Sequence, residues 1–411
     1  MKSFRLTKYG FKALALVATV AMLAACSEGT SSPPGSGSAK ADVPIALVYP
    51  TSGVWTTQGE NSVHGAELAI KDINAAGGVL DGRKLVAHIA DAGNDPQTAA
   101  SAARRLIQSA KPAALLGAYL SSYTLTVSTV AEQAKVADIT QSFSDELVKR
   151  NYKYTFKTTP TAVSFSNSVF QYLTEMYAAA GKPIPTVAIL ASDDASGQQQ
   201  YAAAEKAAPA AGFDVVLKLQ FPADITDTSA LVNRIAAANA DILLLNGPDA
   251  AEIQIVKGVR ARGINVPIVG LGGAGATTQG FVDALGSGVD GVLATVAYNA
   301  DVNANGLEIE KRFLKEYGGT FMPAESGTAY VGIMIAAAAI NAANSTDSQK
   351  VAEAIRALNL TEGAAQLYPG GKITFDEFGL NKNAFPIMIQ YQNGKPVTVW
   401  PEKVATAKPR L

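Results

Sequence analysis

Cysteine occurs once, histidine twice and tryptophan twice in 411 residues, and each scarcity closes a chemical route. A single cysteine, Cys26, cannot form an intramolecular disulfide. His64 falls in a helical pattern and His88 in a strand pattern. With neither an H-E-x-x-H motif for zinc nor a G-x-S-x-G nucleophile elbow in the chain, both read as structural. Asp193 and Asp194 are adjacent in sequence, which does not set two carboxylates across a scissile bond. Positive charge is also lacking: Lys and Arg number 34 against 35 Asp and Glu, with no basic cluster, so no nucleic-acid partner is expected. Internal apolar runs are short. The longest, 330–343, is alanine-rich and reads as a buried helix rather than a span. No enzyme activity, metal or cofactor is expected.

The chain opens on Lys2, Arg5, Lys8 and Lys12, followed by an apolar run from Ala13 to Ala25. A span needs about 20 residues and a secretory core about 7–15, so residues 1–25 read as an export signal. Leu23-Ala24-Ala25-Cys26 resembles the lipobox of bacterial lipoproteins, in which Cys26 would carry the lipid. The alternative is a plain signal with a stray cysteine. Residues 26–41 are Ser, Gly and Pro with little apolar content, the composition of a flexible tether.

The chain beyond residue 41 is too long for one core and alternates strand and helix patterns. Strands are expected at 45–48, 85–90, 113–117, near 138 and at 154–156, with helices at 58–75, 97–109 and about 124–134 between them. The rhythm restarts after Pro160: helix 162–180, strand 187–191, helix 197–211, strand 214–219, helix 229–238, strand 242–245, helix 250–262, strand 266–269. Helices near 307–317, 326–343 and 348–357 precede strand patterns at 372–375, 387–391 and 397–400, with Asn393-Gly394 as a hairpin turn. Alternation of this kind forces parallel pairing with helices on both faces, hence an α/β fold of two similar lobes.

The turn Gly117-Ala118-Tyr119-Leu120-Ser121-Ser122 lies where a ligand sits in an open α/β sheet, beyond the carboxyl end of a strand. A helix start there leaves amides without partners and a partial positive charge, so Ser121 and Ser122 with their amides form a seat for a carboxylate. The alternative is that one serine merely caps the helix. The loop after 138 holds Ser142 and Ser144 as a second source of donors. Trp55, Tyr119, Tyr123 and Phe143 stand at or beside strand ends and offer flat apolar walls. Asp193, Asp194 and Asp249 follow strands of the second lobe and face either a cationic or hydroxylated ligand group or nothing more than a helix cap or solvent. Tyr201 reads as packing.

The segment from Asn61 to Val79, ending Asp72-Ile73-Asn74-Ala75-Ala76-Gly77-Gly78-Val79, resembles the periplasmic binding proteins of the leucine/isoleucine/valine type, the extracytoplasmic receptors of ABC importers. The resemblance continues through 91–96, 117–124 and 139–150. It implies two Rossmann-like lobes with mostly parallel sheets joined by three crossovers, near Pro160, Tyr298 and 376–384. Lobe 1 would be 42–159 plus 299–376, and lobe 2 would be 160–298 plus 377–411. It also implies a small-molecule ligand, an ABC permease as membrane partner, and a monomer. Ser121 matches the family serine that holds an amino-acid carboxylate, and Ser142 and Ser144 the following loop. Three positions depart. Gln58 and Ser196 stand where aromatics are expected, and Gly272 stands where an acid meets the ammonium. A receptor of the same shape that signals to a membrane sensor is the alternative to transport.

Gly270-Leu271-Gly272-Gly273-Ala274-Gly275 fits a dinucleotide fingerprint, but it comes late in its lobe rather than in the first βα turn. Its glycines equally suit a close backbone approach to a ligand.

Overall fold

The computed structural model describes residues 41–272 and 275–411. The expected signal, the lipidation site Cys26 and nearly all of the tether lie outside the described residues. The strands at 43–49 and 114–117 are apolar and almost wholly buried, as suits strands covered on both faces. β1 (Val43–Tyr49), β2 (Leu85–Asp91), β3 (Ala114–Gly117), β4 (Asp138–Thr140) and β5 (Thr155–Lys157) form a parallel sheet in the order β2-β1-β3-β4-β5. Helices α1 (Thr56–Ala75), α2 (Pro96–Ala110) and α3 (Ser121–Ala134) connect its strands.

A second set follows after α4 (Ala162–Ala179): β6 (Val187–Ser192), α5 (Ala195–Ala210), β7 (Val215–Phe221), α6 (Ser229–Ala238), β8 (Ile242–Asn246), α7 (Asp249–Ala261), β9 (Ile268–Gly270), α8 (Gln279–Leu285) and β10 (Leu293–Val296). Their sheet runs β10-β9-β8-β6-β7, the same order as the first sheet. The chain then returns to the first sheet through α9 (Ala304–Tyr317), α10 (Ala324–Ala343) and α11 (Ser348–Ala357), whose buried side chains share a core with β1 and α1. A small ribbon, β11 (Asn359–Leu360) with β12 (Ile373–Thr374), precedes the antiparallel pair β13 (Ile387–Gln392) and β14 (Lys395–Trp400) that extends the second sheet beyond β10. The Asn393-Gly394 turn has positive φ at both residues, as a two-residue hairpin demands.

The α/β class and the mostly parallel sheets agree with expectation. β10 and α8 are elements that sequence periodicity did not reveal, and the expected strand at 372–375 is only the two-residue β12. The alanine-rich helix is α10, most of it buried against α1 and the first sheet. That contact is close because glycine permits it. A Cβ on Gly65 of α1 would lie 2.0 Å from the Ser326 carbonyl oxygen of α10. Backbone on backbone cannot yield, so Gly65→Ala should destabilise the protein by about 1–3 kcal/mol through overpacking. Urea denaturation measures it, and an unchanged midpoint would refute this reading of the α1–α10 contact.

Candidate functional site

In a sheet of this order, neighbouring loops leave in opposite directions at the junction of the first and third strands and open a crevice there. The junction of β1 and β3 in the first sheet presents Trp55, Tyr119 and Ser121. The junction of β6 and β8 in the second presents Asp194, Ser196 and Asn246. These six residues meet around one small cavity of about 30 Å³, with Leu120, Gln141, Phe143, Gln200 and Gly272 completing its wall. A neighbouring cavity of about 20 Å³ shares Tyr119, Gln141, Phe143 and Gly272 and adds Glu325 and Thr328. Volumes of this size hold a water or two, so the strand ends of the two sheets lie close together here.

The two opposing helix starts differ in one respect. α3 begins at Ser121, earlier than the expected 124, and its N-cap is Leu120, which has no side chain to offer the first-turn amides. Neither serine caps the helix. Ser121 is nearly buried, and its Oγ accepts from the Ser144 amide at 3.1 Å. Ser142 Oγ lies 3.3 Å away and donates to the Tyr119 carbonyl at 2.9 Å. The Ser121 hydroxyl hydrogen is thus left for Ser142 or for a guest. α5, by contrast, is capped. Asp194 accepts from the amides of Ser196 and Gly197 at 3.0 and 3.2 Å and from Ser192 Oγ at 2.5 Å. The first lobe therefore offers donors and positive potential, while the second offers a carboxyl group.

Of the residues singled out from sequence, Trp55, Tyr119, Ser121, Phe143, Asp194, Ser196 and Gly272 line the cavity. Trp55 and Tyr119 face each other with ring centroids 6.2 Å apart, and Tyr119 takes a left-handed φ of 65°. Gln58, Ser122, Tyr123, Ser142, Ser144, Asp193, Tyr201 and Asp249 do not line it. Ser142 and Ser144 stand one layer behind, orienting Ser121. Ser144 Oγ also accepts from Gln199 Nε2 of α5 at 3.0 Å, so it ties the lobes together. Asp249 does the same from the far side, accepting from Thr57 Oγ1 of α1 at 3.1 Å. Asp193 is exposed and turns outward to the Ala223 amide. Its neighbour Asp194 lines the cavity instead. Gln58 is fully buried in α1 outside the cavity wall, with no hydrogen-bond partner for its side-chain amide among the described residues.

Gln141, Gln200, Asn246 and Glu325 were not singled out. Asn246 ends the apolar run of β8, the same polar-after-strand signal that marks the Ser121 turn, and its Nδ2 donates to the Leu271 carbonyl at 2.7 Å. Glu325 is the lone acid ahead of the apolar body of α10.

A family model described as periplasmic binding protein matches residues 42–390. The chain belongs to the periplasmic binding protein family. The Leu/Ile/Val-binding protein homolog 8 of Brucella abortus (strain 2308) is 31% identical over 383 residues, covering 91% of this chain and 94% of that relative. Among solved structures, the branched-chain amino acid transporter substrate-binding protein LivJ from Streptococcus pneumoniae, in complex with isoleucine, aligns with a TM-score of 0.75 at 21% identity. It covers 88% of this chain and 100% of its own. A solute-binding protein of an ABC transporter from R. palustris, in complex with benzoate, aligns at 0.73 with 18% identity, covering 89% and 99%. The two fold alike with this chain.

This periplasmic binding protein also buries a base behind its site. Lys157, at the end of β5 where the chain leaves the first sheet, is fully buried. Its Nζ donates to the carbonyls of Ser142 and Pro160 and to Thr159 Oγ1, the last two at 2.9 and 3.2 Å. Burial pulls its pKa from 10.5 down to about 7, with nearby Asp145 pulling the other way. The unfolded chain therefore binds more protons than the folded one across that window. Wild-type stability relative to Lys157→Met should rise as pH climbs from about 7 towards 10.5. Melting curves of both proteins across that range test it, and a constant difference would show that Lys157 does not titrate in the fold.

Proposed function

We propose that this chain is a lipid-anchored, extracytoplasmic solute-binding component of an ABC importer. It traps a small carboxylate-bearing metabolite between lobe 1 (42–159 plus 299–376) and lobe 2 (160–298 plus 377–411) and presents it to a membrane permease. One observation carries the reading: an uncapped helix start beside Ser121 faces an Asp-capped helix start across a closed cavity. An anionic group is drawn to the first and repelled by the second. Trp55, Tyr119, Phe143 and Leu120 give the rest of the guest an apolar enclosure. The isoleucine of LivJ and the benzoate of the R. palustris protein have this pairing in common, a carboxylate on an apolar body. Family membership and the homology to a Leu/Ile/Val-binding protein point to binding rather than turnover and to a site of action outside the cytoplasm.

Capture works by linkage. The shut state makes contacts across the cleft: Thr57 to Asp249, Gln199 to Ser144 and to the Asp145 amide, and Thr277 Oγ1 to Glu325 at 3.3 Å. A guest that touches both lobes favours that state and shifts an existing equilibrium towards it.

A melting-temperature screen over branched-chain amino acids, aromatic amino acids and aromatic carboxylates tests the reading, because a ligand at a hundred times its Kd adds about 2.7 kcal/mol of stability. Stabilisation by at least one carboxylate is expected, with Ser121→Ala weakening that ligand by about 1–3 kcal/mol in calorimetric titration. Equal affinity in the variant would remove Ser121 from the site.

A further inference from the structure

Lys157 is the one base that is fully buried among the described residues. An ammonium carries three N–H donors, and here they meet three neutral acceptors, the carbonyls of Ser142 and Pro160 and the Thr159 hydroxyl. None of these brings a countercharge. Asp145, which acts on the amine from the loop beyond Ser144, is only half-buried and gives an oxygen to the Val163 amide at 3.2 Å. Asp138 on β4 feels Arg150 instead, and the first turn of α4 holds no acid. The segment 376–384 bonds the Lys157 backbone at Gly379 and Asn381, and it keeps Asp376 on the amides of Phe378 and Leu380 at 3.0 and 2.8 Å. The fold buries a cationic side chain without seating an anion against it.

The missing charge lies on the ligand side. Gln141 and Phe143 line the cavity. Ser142 between them turns its carbonyl to Lys157 Nζ and brings its hydroxyl within 3.3 Å of Ser121 Oγ. Nζ lies 5.7 Å from the Phe143 ring centroid. The amine thus stands one residue behind the serine seat, while no Lys, Arg or His among the described residues lines this cavity or its neighbour. In surroundings this poor in water a charge is felt across several ångströms. Burial pulls the Lys157 pKa down to about 7, so near neutral pH the amine is poised to gain or lose a proton. A neutral amine has two N–H bonds for three acceptors, so protonation also completes the links to Ser142 and Pro160.

Resting on the reading that a carboxylate-bearing solute is held at Ser121, we propose that Lys157 is the countercharge of that carboxylate, a positioning residue acting through Ser142, and that capture of the anion takes up a proton. The solute brings one negative charge and Nζ takes one proton from solvent, so the pair is neutral. The sign follows from linkage. An anion at Ser121 raises the pKa of the amine, so affinity is full below about pH 7, where the free protein is already protonated, and falls as pH rises through that value.

Calorimetric titration with benzoate, 4-methylpentanoate and L-isoleucine between about pH 6 and 8.5 tests this, in paired buffers of different ionisation enthalpy. The carboxyl group of every probe is ionised throughout that range. The expected result is uptake of about half a proton per ligand near pH 7.5, with affinity falling about three- to tenfold from the bottom of the range to the top. Glu325 lines the neighbouring cavity with its carboxyl pushed up to about 8, so Glu325→Gln is titrated as well. Uptake should persist in Glu325→Gln and vanish in Lys157→Met. Heats independent of buffer in the wild type, uptake lost in Glu325→Gln, or uptake kept in Lys157→Met would overturn the proposal and leave carboxylate capture standing. Should Lys157→Met fail to fold, the wild-type and Glu325→Gln heats still decide. Failure of all three probes to bind the wild type would overturn the underlying reading and this proposal with it.

Discussion

The structure turns on a difference between two helix starts. α3 follows β3, the middle strand of its sheet, and α5 follows β6, which lies next to an edge strand, and the first turns of both line the same small space. Leu120 gives α3 nothing to bond those amides, whereas Asp194 spends its carboxyl on the amides of α5. The partial positive charge of a helix start extends only about one turn, so what the cap does is felt inside the cavity. One end of the site is left electropositive and the other is neutralised.

The remaining residues hold this difference in place. Lys157 fastens the loop that bears Ser142, Ser142 and Ser144 fix Ser121, and Ser144 meets Gln199 from the opposite lobe. The serine that faces the cavity is thus connected, through the Ser142 hydroxyl and the Ser144 amide, both to the strand at which the chain leaves the first sheet and to a contact with α5. Thr57 with Asp249 and Thr277 with Glu325 clasp other sides of the same cleft. Each such bond is worth about 0.5–1.5 kcal/mol. A few of them favour closure modestly, and ligand contacts on both lobes decide whether it persists.

The architecture was legible because buried parallel strands and the helices between them impose strong periodicities. The α1 segment and its Gly77-Gly78 stop, the α4 restart after Pro160 and the Asn393-Gly394 hairpin all read directly from residue order. β10 was not legible: four residues with no alternation, held by β9 on one side and β13 from far along the chain on the other. The site was half legible. Ser121, Tyr119, Trp55, Ser196 and Gly272 follow strands or open helices, where local pattern predicts exposure at a sheet end. Asp193 and Asp194 could not be separated by pattern, because which of two adjacent carboxyls turns inward is settled by the Ser196 and Gly197 amides. Ser144 and Asp249 are near the cleft but bond across it, a distinction that depends on how far the lobes have shut. Gln200 and Glu325 reach the cavity from helices one turn or more away from any strand end, and only the packing of α5 and α10 places them there.

A crystal structure of the chain grown with a solute that raises its melting temperature would test the central claim most directly. The account predicts one guest between the two sheets, its carboxylate oxygens within hydrogen-bond distance of Ser121 Oγ and the first-turn amides of α3. A carboxylate seated instead against the α5 start beside Asp194, or a solute bound away from the junctions of β1 with β3 and β6 with β8, would contradict it.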